Sequence, residues 1–300
     1  MNASAHEEFL YELFSEGTDI PGYYRLKRCL IDFEAVKSSV ISVLDAGCGG
    51  GAKCIYLARC NPALEIVGID VNQFALNHAE NLRRKYGLSN VRFSMKDLAK
   101  HLDPEMFDFV IVSDVLEHVE NDRQFAANID RMLNARGFVH INVPSREHDY
   151  DFSKLTPPEQ GDLRQWMKDI GHVRLGYTPD GLTSLFPGYE VITMKKVGNC
   201  CCKLAYFLWE KAILDPQRKK PAELEREYKF PFVEYIDLLI RKYFVKDKTF
   251  SPPHSRSMNK RMFLQAIRTI DLGIELETKG LLGNRYLLEE EICCLLRKPL

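Results

Sequence analysis

A glycine-rich turn between an apolar run and a helical pattern constrains the fold of this chain more than any other feature. The run over 40–45 is short and rich in β-branched residues, and it ends in Asp45. Residues 46–51 follow, four of them glycines, and a helical pattern then continues to Ala58. A strand, a glycine turn and a helix in this order predict the opening unit of an α/β fold.

The same alternation continues along the chain. Further strands are predicted at 65–70, 91–95, 107–113 and 137–143, with helices over 72–86 and from about 114. Strands that alternate with helices at this spacing predict a parallel sheet with helices on both faces. A short helix over 178–186, a strand over 189–197 and a last strand over 291–297 follow, with only helical patterns between about 200 and 281.

Four regions are therefore expected. The predicted boundaries are an N-terminal helical cap at 1–39, a ligand-binding α/β core at 40–199, a helical insertion at 200–281, and the last core strand with the C-terminus at 282–300.

Composition excludes several classes of protein. The 300 residues are 45% hydrophobic and 28% charged, which rules out disorder and a small disulfide scaffold. The net charge is −1, so the overall charge of the protein does not attract DNA or an anionic membrane. No apolar run is long enough to cross a membrane, and the acidic N-terminus does not resemble a signal sequence, so a cytoplasmic protein is expected. A basic cluster over 241–261 leaves three alternatives open: a peripheral membrane contact, a contact with a phosphate-bearing acceptor, or a solvated loop.

The cysteines do not form a metal-binding pattern. There are nine, and none belongs to a CxxC pair. The sequence therefore disfavours a zinc site and predicts reduced thiols that pack as small hydrophobic side chains.

Ligand-binding residues are expected at the carboxyl ends of the first strands. Glycines at 47 and 49 remove Cβ atoms where a ligand approaches the backbone, and the next helix points its N-terminus at the same crevice. Asp70 ends the second strand, where a carboxylate can accept both hydroxyls of a ribose, and Asp97 follows the third strand. These residues predict a nucleotide-like ligand. Asp70 could instead cap the next helix, and Asp97 could be a solvated loop acid.

Two cofactors fit the glycine turn. Gly47, Gly49 and Ala52 also satisfy the dinucleotide pattern, so a nicotinamide oxidoreductase is an alternative. Asp45 and Asp97 add negative charge, which suits the ammonium group of a ligand and opposes a pyrophosphate. The charge pattern therefore favours a cationic ligand.

Four ordered motifs carry a family resemblance. Residues 43–51, 67–70, 96–98 and 107–119 resemble the motifs of class I S-adenosylmethionine-dependent methyltransferases, within the small-molecule branch that includes ubiquinone-biosynthesis O-methyltransferases. The resemblance covers about 40–197 and the last strand. It implies a Rossmann-like, seven-stranded sheet whose last strand is antiparallel.

The resemblance also implies a cofactor, S-adenosylmethionine, and the residues that hold it. The cofactor-binding set carried over is Asp45, Gly47, Gly49, Asp70, Val71, Asp97, Leu98 and Ser113. The first three would hold the methionine end and Asp70 the ribose. Asp97 and Leu98 would contact the adenine, while Ser113 would close the pocket through its backbone.

Candidate residues for the acceptor side follow the fourth strand. Asp114, Glu117 and His118 are spaced to share one face of the predicted helix start. They could bind Mg²⁺, or Glu117 and His118 could orient the acceptor without a metal, or this face could serve helix packing. His172 is a candidate general base or a hydrogen-bonded structural histidine. Residues 23–25 could close over the cofactor or pack in the core.

The sequence predicts an enzyme, a methyltransferase that acts on an oxygen of a small-molecule, sugar or lipid-linked acceptor. The Asn/Asp-Pro-Pro-Tyr/Phe motif that relatives use on nitrogens of nucleobases or glutamine is absent after the fourth strand, which favours oxygen. Two alternatives remain. One is an RNA methyltransferase, although no RNA-binding domain is recognisable, and the other is a cofactor-binding regulatory subunit without turnover.

Overall fold

The computed structural model describes residues 3–15, 20–101, 104–145, 167–199, 205, 260–281 and 287–300. The strands are β1 Ser42–Ala46, β2 Glu65–Asp70, β3 Val91–Met95, β4 Phe107–Ser113, β5 Leu133–Pro144, β6 Glu190–Asn199 and β7 Leu287–Arg297. The helices are α1 Ala3–Ser15, α2 Ile20–Val36, α3 Ala52–Cys60, α4 Gln73–Lys85, α5 Asp122–Met132, α6 Pro179–Thr183 and α7 Lys260–Thr278.

All seven strands form one sheet in the order β3-β2-β1-β4-β5-β7-β6. Strands β1 to β5 pair in parallel, whereas β7 runs antiparallel to both of its neighbours, β5 and β6. The predicted fold class, including the antiparallel last strand, is confirmed. The central strands β1 and β4 are buried almost throughout, as expected for continuous apolar runs covered on both faces.

Helices cover both faces of the sheet. Side chains of α1, α2, α3, α4 and α7 share one apolar cluster with β1 and β4, and those of α5 and α6 share the cluster on the other face. The carboxyl ends of β1, β2 and β4 meet at one edge of the sheet, where the predicted ligand residues lie.

The N-terminal helices and α7 pack together. Arg28 on α2 forms an ion pair with Glu277 on α7 at 2.6 Å, and the Tyr23 hydroxyl donates a hydrogen bond to Asp271 at 2.9 Å. The described part of the predicted insertion therefore joins the N-terminal cap. The helices predicted at 204–214 and 232–245, with most of the basic cluster, lie outside the described residues, and the four region boundaries stay predictions.

One predicted helix start is wrong. Asp114 has a left-handed backbone, with φ at 55°, and Leu116–His118 form a single 3₁₀ turn. Helix α5 begins only at Asp122, where the Asn121 side chain accepts a hydrogen bond from the Gln124 N–H at 3.1 Å. Because Asp114 precedes this turn with a left-handed backbone, it does not share a helix face with Glu117 and His118. Within the described ranges, no helix combines the length and apolarity that a membrane span requires.

Candidate active site

The glycine turn has a backbone path that side chains would obstruct. Gly47, Gly49 and Gly51 have φ values of 86°, 52° and 77°, all left-handed. A Cβ on Gly47 would lie 2.3 Å from a Val115 methyl group, whereas one on Gly49 would meet nothing within 4 Å. The loop is therefore packed tightly on one side and open at Gly49. An open glycine beside a helix N-terminus suits the backbone approach of a nucleotide-like cofactor.

Asp70 connects the loop to the end of β2. Its Oδ2 accepts the Gly49 N–H at 2.7 Å, and its Oδ1 accepts the Asn72 N–H at 2.8 Å. Each oxygen keeps a lone pair for a ligand hydroxyl. The N-cap of α4 is Asn72, whose Oδ1 accepts the Phe74 N–H at 3.0 Å, so Asp70 does not cap that helix. Val71, next to Asp70, is 65% exposed at the crevice edge.

The two residues predicted to meet the adenine are engaged within the protein. Asp97 forms an ion pair with Lys100 at 2.8 Å and accepts the Ala99 N–H at 3.0 Å, and the Lys100 hydrogen bond lowers the pKa of this carboxyl. Leu98 is buried, and its carbonyl accepts a hydrogen bond from the Asn128 amide at 2.7 Å. Their roles toward a cofactor remain predictions.

Asp45 is fully buried at the end of β1 and faces a cation that sequence analysis missed. Lys53 on α3 places its Nζ 4.0 Å from Asp45 Oδ2, and the Cys54 thiol donates to the same oxygen at 3.5 Å. Burial raises the pKa of Asp45, and Lys53 opposes that shift. Within the described residues, the Oδ1 of Asp45 and the buried Ser113 hydroxyl have no hydrogen-bond partner. The position of Lys53 just after the glycine turn was the only feature of the sequence that could have indicated this role.

The turn after β4 is fixed by a segment far along the chain. The Val173 N–H donates to the Glu117 carbonyl at 2.9 Å, and the Tyr177 hydroxyl donates to the Leu116 carbonyl at 3.1 Å. Arg174 donates to the Val119 carbonyl at 2.7 Å. These bonds hold His172 beside the turn that carries Glu117 and His118.

His118 and His172 form an edge-to-face pair with ring centroids 4.6 Å apart. The His118 Nδ1 lies 3.0 Å from the Gly171 carbonyl oxygen. Because a carbonyl oxygen only accepts hydrogen bonds, Nδ1 carries the proton and the Nε2 of neutral His118 can take one up. Burial, with His118 and Arg25 nearby, lowers the pKa of His172 to about 4, so this ring is neutral at pH 7.

Glu117 is 1% exposed. Burial and the neighbouring Asp114 raise its pKa to about 8, so the carboxyl is protonated at neutral pH and can donate a hydrogen bond. Its Oε2 has no hydrogen-bond partner among the residues that the structure describes. Ligand atoms of Glu117, His118 and His172 lie within 4.8 Å of one another, so His172 takes the place that the sequence prediction gave to Asp114.

Asp114 is paired with the N-terminal cap instead. Its Oδ2 lies 2.5 Å from Arg25 Nε, and the Arg25 Nη2 lies 3.3 Å from Glu291 on β7. A permanent cation beside Asp114 opposes a metal ion at that carboxylate. The predicted Mg²⁺ set of Asp114, Glu117 and His118 is therefore not assembled. Of residues 23–25, Arg25 reaches the crevice edge, whereas both tyrosines are buried in the core.

Comparisons with known proteins agree with this architecture. Residues 37–178 match the family described as "Methyltransferase domain". A ubiquinone biosynthesis O-methyltransferase of Rickettsia felis is 29% identical over 108 residues, which cover 36% of this chain and 43% of the relative. An (S)-coclaurine N-methyltransferase of Thalictrum flavum subsp. glaucum is 28% identical over 100 residues, which cover 33% of this chain and 28% of the relative. The chain thus spans less than half the length of these curated relatives.

A solved structure shows the same fold. A protein assigned as a sarcosine dimethylglycine methyltransferase from Galdieria sulphuraria superposes with a TM-score of 0.51 at 15% identity, over 91% of this chain and 84% of that one. The strand order, the antiparallel β7 and the glycine turn at the end of β1 define a Rossmann-like domain of the class I methyltransferase type. With the family match over 37–178, this part of the chain is a methyltransferase domain with the class I, Rossmann-like fold.

Proposed function

We propose that this chain transfers the methyl group of S-adenosylmethionine to an oxygen atom of a small-molecule acceptor. The observation that carries the proposal is the open glycine turn, connected through the Gly49 N–H to Asp70, beside a histidine whose Nε2 can accept a proton. When bound, the cofactor supplies an electrophilic methyl group on a sulfonium centre.

The cofactor end of the crevice has two tasks. The backbone of residues 47–49 approaches the methionine portion, and Asp70 accepts the ribose hydroxyls. The Gly49 N–H, which a pyrophosphate would need, already donates to the Asp70 carboxylate, and that carboxylate would repel a pyrophosphate. This supports S-adenosylmethionine over a nicotinamide dinucleotide.

The acceptor end supplies a base. Methyl transfer requires the acceptor oxygen to lie in line with the methyl group, and a hydroxyl must lose its proton. We propose that His118 Nε2 accepts the proton of the acceptor hydroxyl, because the Gly171 carbonyl keeps Nδ1 in the N–H form. Protonated Glu117 is available to donate a hydrogen bond to the acceptor, and neutral His172 packs against the base.

Oxygen is favoured over nitrogen by the sequence after β4, which lacks the Pro-Pro motif, and by the presence of a base. The named relatives include both O- and N-methyltransferases, so they support methyl transfer to small molecules in general. Turnover in the presence of a chelator, with Mg²⁺ added back, decides whether Glu117, His118 and His172 use a cation.

Calorimetric titration tests the cofactor assignment. We expect binding of S-adenosylmethionine and S-adenosylhomocysteine, with Asp70→Ala weakening the affinity by about 1.5 to 3 kcal/mol, because a charged acceptor is lost. Glu275→Ala is the control and should change the affinity by less than about 1 kcal/mol, since this exposed carboxylate pairs with Lys279 on the surface of α7. Binding of NAD in place of these ligands would refute the proposal.

A further inference from the structure

Three side chains of metal-ligand type meet between α2 and the sheet. Asp32 comes from α2, His140 from β5 and Cys293 from β7, and they are 6%, 0% and 7% exposed. One ligand atom from each lies within 4.8 Å of the others. The sequence did not indicate this cluster, because its members come from three distant segments.

The distances suit a small tetrahedral ion. The Asp32 Oδ2 lies 2.8 Å from His140 Nδ1 and 3.8 Å from Cys293 Sγ. Two ligands of one tetrahedral Zn²⁺ lie about 3.3 to 3.6 Å apart, given its usual bond lengths to oxygen, nitrogen and sulfur. The observed separations bracket this value, so side-chain adjustments of a few tenths of an ångström bring the atoms to ligand spacing.

The surroundings orient the ligands. Thr193 on β6 donates a hydrogen bond to Asp32 Oδ1 at 3.4 Å, which leaves Oδ2 facing His140 and Cys293. Such outer contacts commonly orient metal ligands. Cys29, one turn before Asp32 on α2, is not among the donors that lie within 4.8 Å of one another. A water molecule would therefore complete the tetrahedral coordination.

Charge balance favours a dication. Within the described part of the chain, the only group paired with the buried Asp32 carboxylate that can carry positive charge is the His140 imidazole. One Zn²⁺ would neutralise one carboxylate and one thiolate, and a neutral imidazole would add no charge. The set would thereby bury no net charge.

We propose that Asp32, His140 and Cys293 bind one structural Zn²⁺ that fastens α2 to strands β5 and β7. On binding, the Cys293 thiol releases its proton to solvent and the thiolate sulfur joins the metal. The proton that His140 Nδ1 donates to Asp32 moves to Nε2, and the freed Nδ1 lone pair binds the metal. The site uses none of the residues that are assigned above to methyl transfer.

Metal content of the purified full-length chain tests the proposal. After dialysis against metal-free buffer, mass spectrometry should find about one zinc ion per chain in the unmodified protein. Cys293→Ala should lower zinc retention by at least about tenfold. Cys294→Ala is the matched control, because it removes a neighbouring buried thiol from the opposite face of the sheet and should retain zinc.

Substitution of cobalt for zinc tests the site in the unmodified chain, so the result does not depend on whether a variant folds. Co²⁺ loaded into the unmodified chain should show the near-ultraviolet charge-transfer band of a thiolate ligand, which Glu117, His118 and His172 cannot produce. Cys60→Ser, at an exposed thiol on α3, should leave that band unchanged. An unmodified chain that retains neither ion after loading would overturn the proposal, as would zinc retention that Cys293→Ala leaves intact.

Discussion

The proposed cofactor end and the proposed acceptor end of the crevice are built in different ways. The cofactor end is formed by backbone groups of consecutive residues, with three left-handed glycines and an Asp70 carboxylate that accepts loop N–H groups. The acceptor end is formed by side chains from two separate segments, and burial sets the protonation of Glu117 and His172. Backbone geometry therefore determines how the cofactor end can bind a ligand. The protonation states of side chains determine what the acceptor end can do.

The largest effect is expected at the acceptor end. His118→Ala should lower kcat by about 10² to 10⁴-fold, because a general base is lost, while the affinity for S-adenosylmethionine stays within about twofold. Transfer of a labelled methyl group measures the rate, and titration measures the affinity. His101→Ala, at another exposed histidine, is the control and should leave both values unchanged. Near-normal turnover in His118→Ala would remove the proposed contrast between the two ends.

A smaller effect is expected from the loop geometry at the cofactor end. Gly47→Ala should lower the free energy of unfolding by about 3 kcal/mol, because the new methyl group meets Val115 in a left-handed conformation. Gly87→Ala is the control, since its φ of 62° is also left-handed but its Cβ position is open, and it should cost about 1 kcal/mol. Urea unfolding compares the two, and equal losses would show that the packing of the loop does not matter.

The smallest expected effect concerns pH and Glu117. In the unfolded chain this carboxyl loses its proton near its ordinary pKa of 4.5, whereas burial keeps the proton in the folded chain up to about pH 8. The folded state therefore binds more protons between these values, and stability falls as pH rises from about 5 to 8. We expect Glu117→Gln to remove on the order of 2 kcal/mol of this pH dependence.

Urea unfolding at several pH values measures that difference. Parallel stability curves for the unmodified chain and Glu117→Gln would mean that Glu117 ionises normally, and the acceptor end would then differ less from the cofactor end than proposed. Glu275→Gln is a suitable control, because this exposed carboxylate pairs with Lys279 on the surface and its pKa is lowered.

The parts of the molecule that sequence predicts well are local. The strand β2, the glycine turn and Asp70 were predicted because consecutive residues determine a strand, a left-handed turn and the acid at a strand end. The helix predicted from Asp114 was wrong, because the left-handed Asp114 and the cap at Asn121 delay α5 by eight positions, from 114 to 122. The contact of His118 with His172 and the cluster of Asp32 with His140 depend on tertiary packing, which spacing along the chain does not encode.

The position of β7 has a consequence for how the sheet is assembled during synthesis. Strand β7 lies between β5 and β6, although it leaves the ribosome after both of them. Until β7 emerges, the nascent chain holds β5 with an open edge and β6 without a neighbouring strand in the sheet. The loop that must close before β7 inserts makes this step slow, and open strand edges attract other chains meanwhile. Translation speed and chaperone supply should therefore affect the yield of this protein more than that of a domain whose strands pair in chain order.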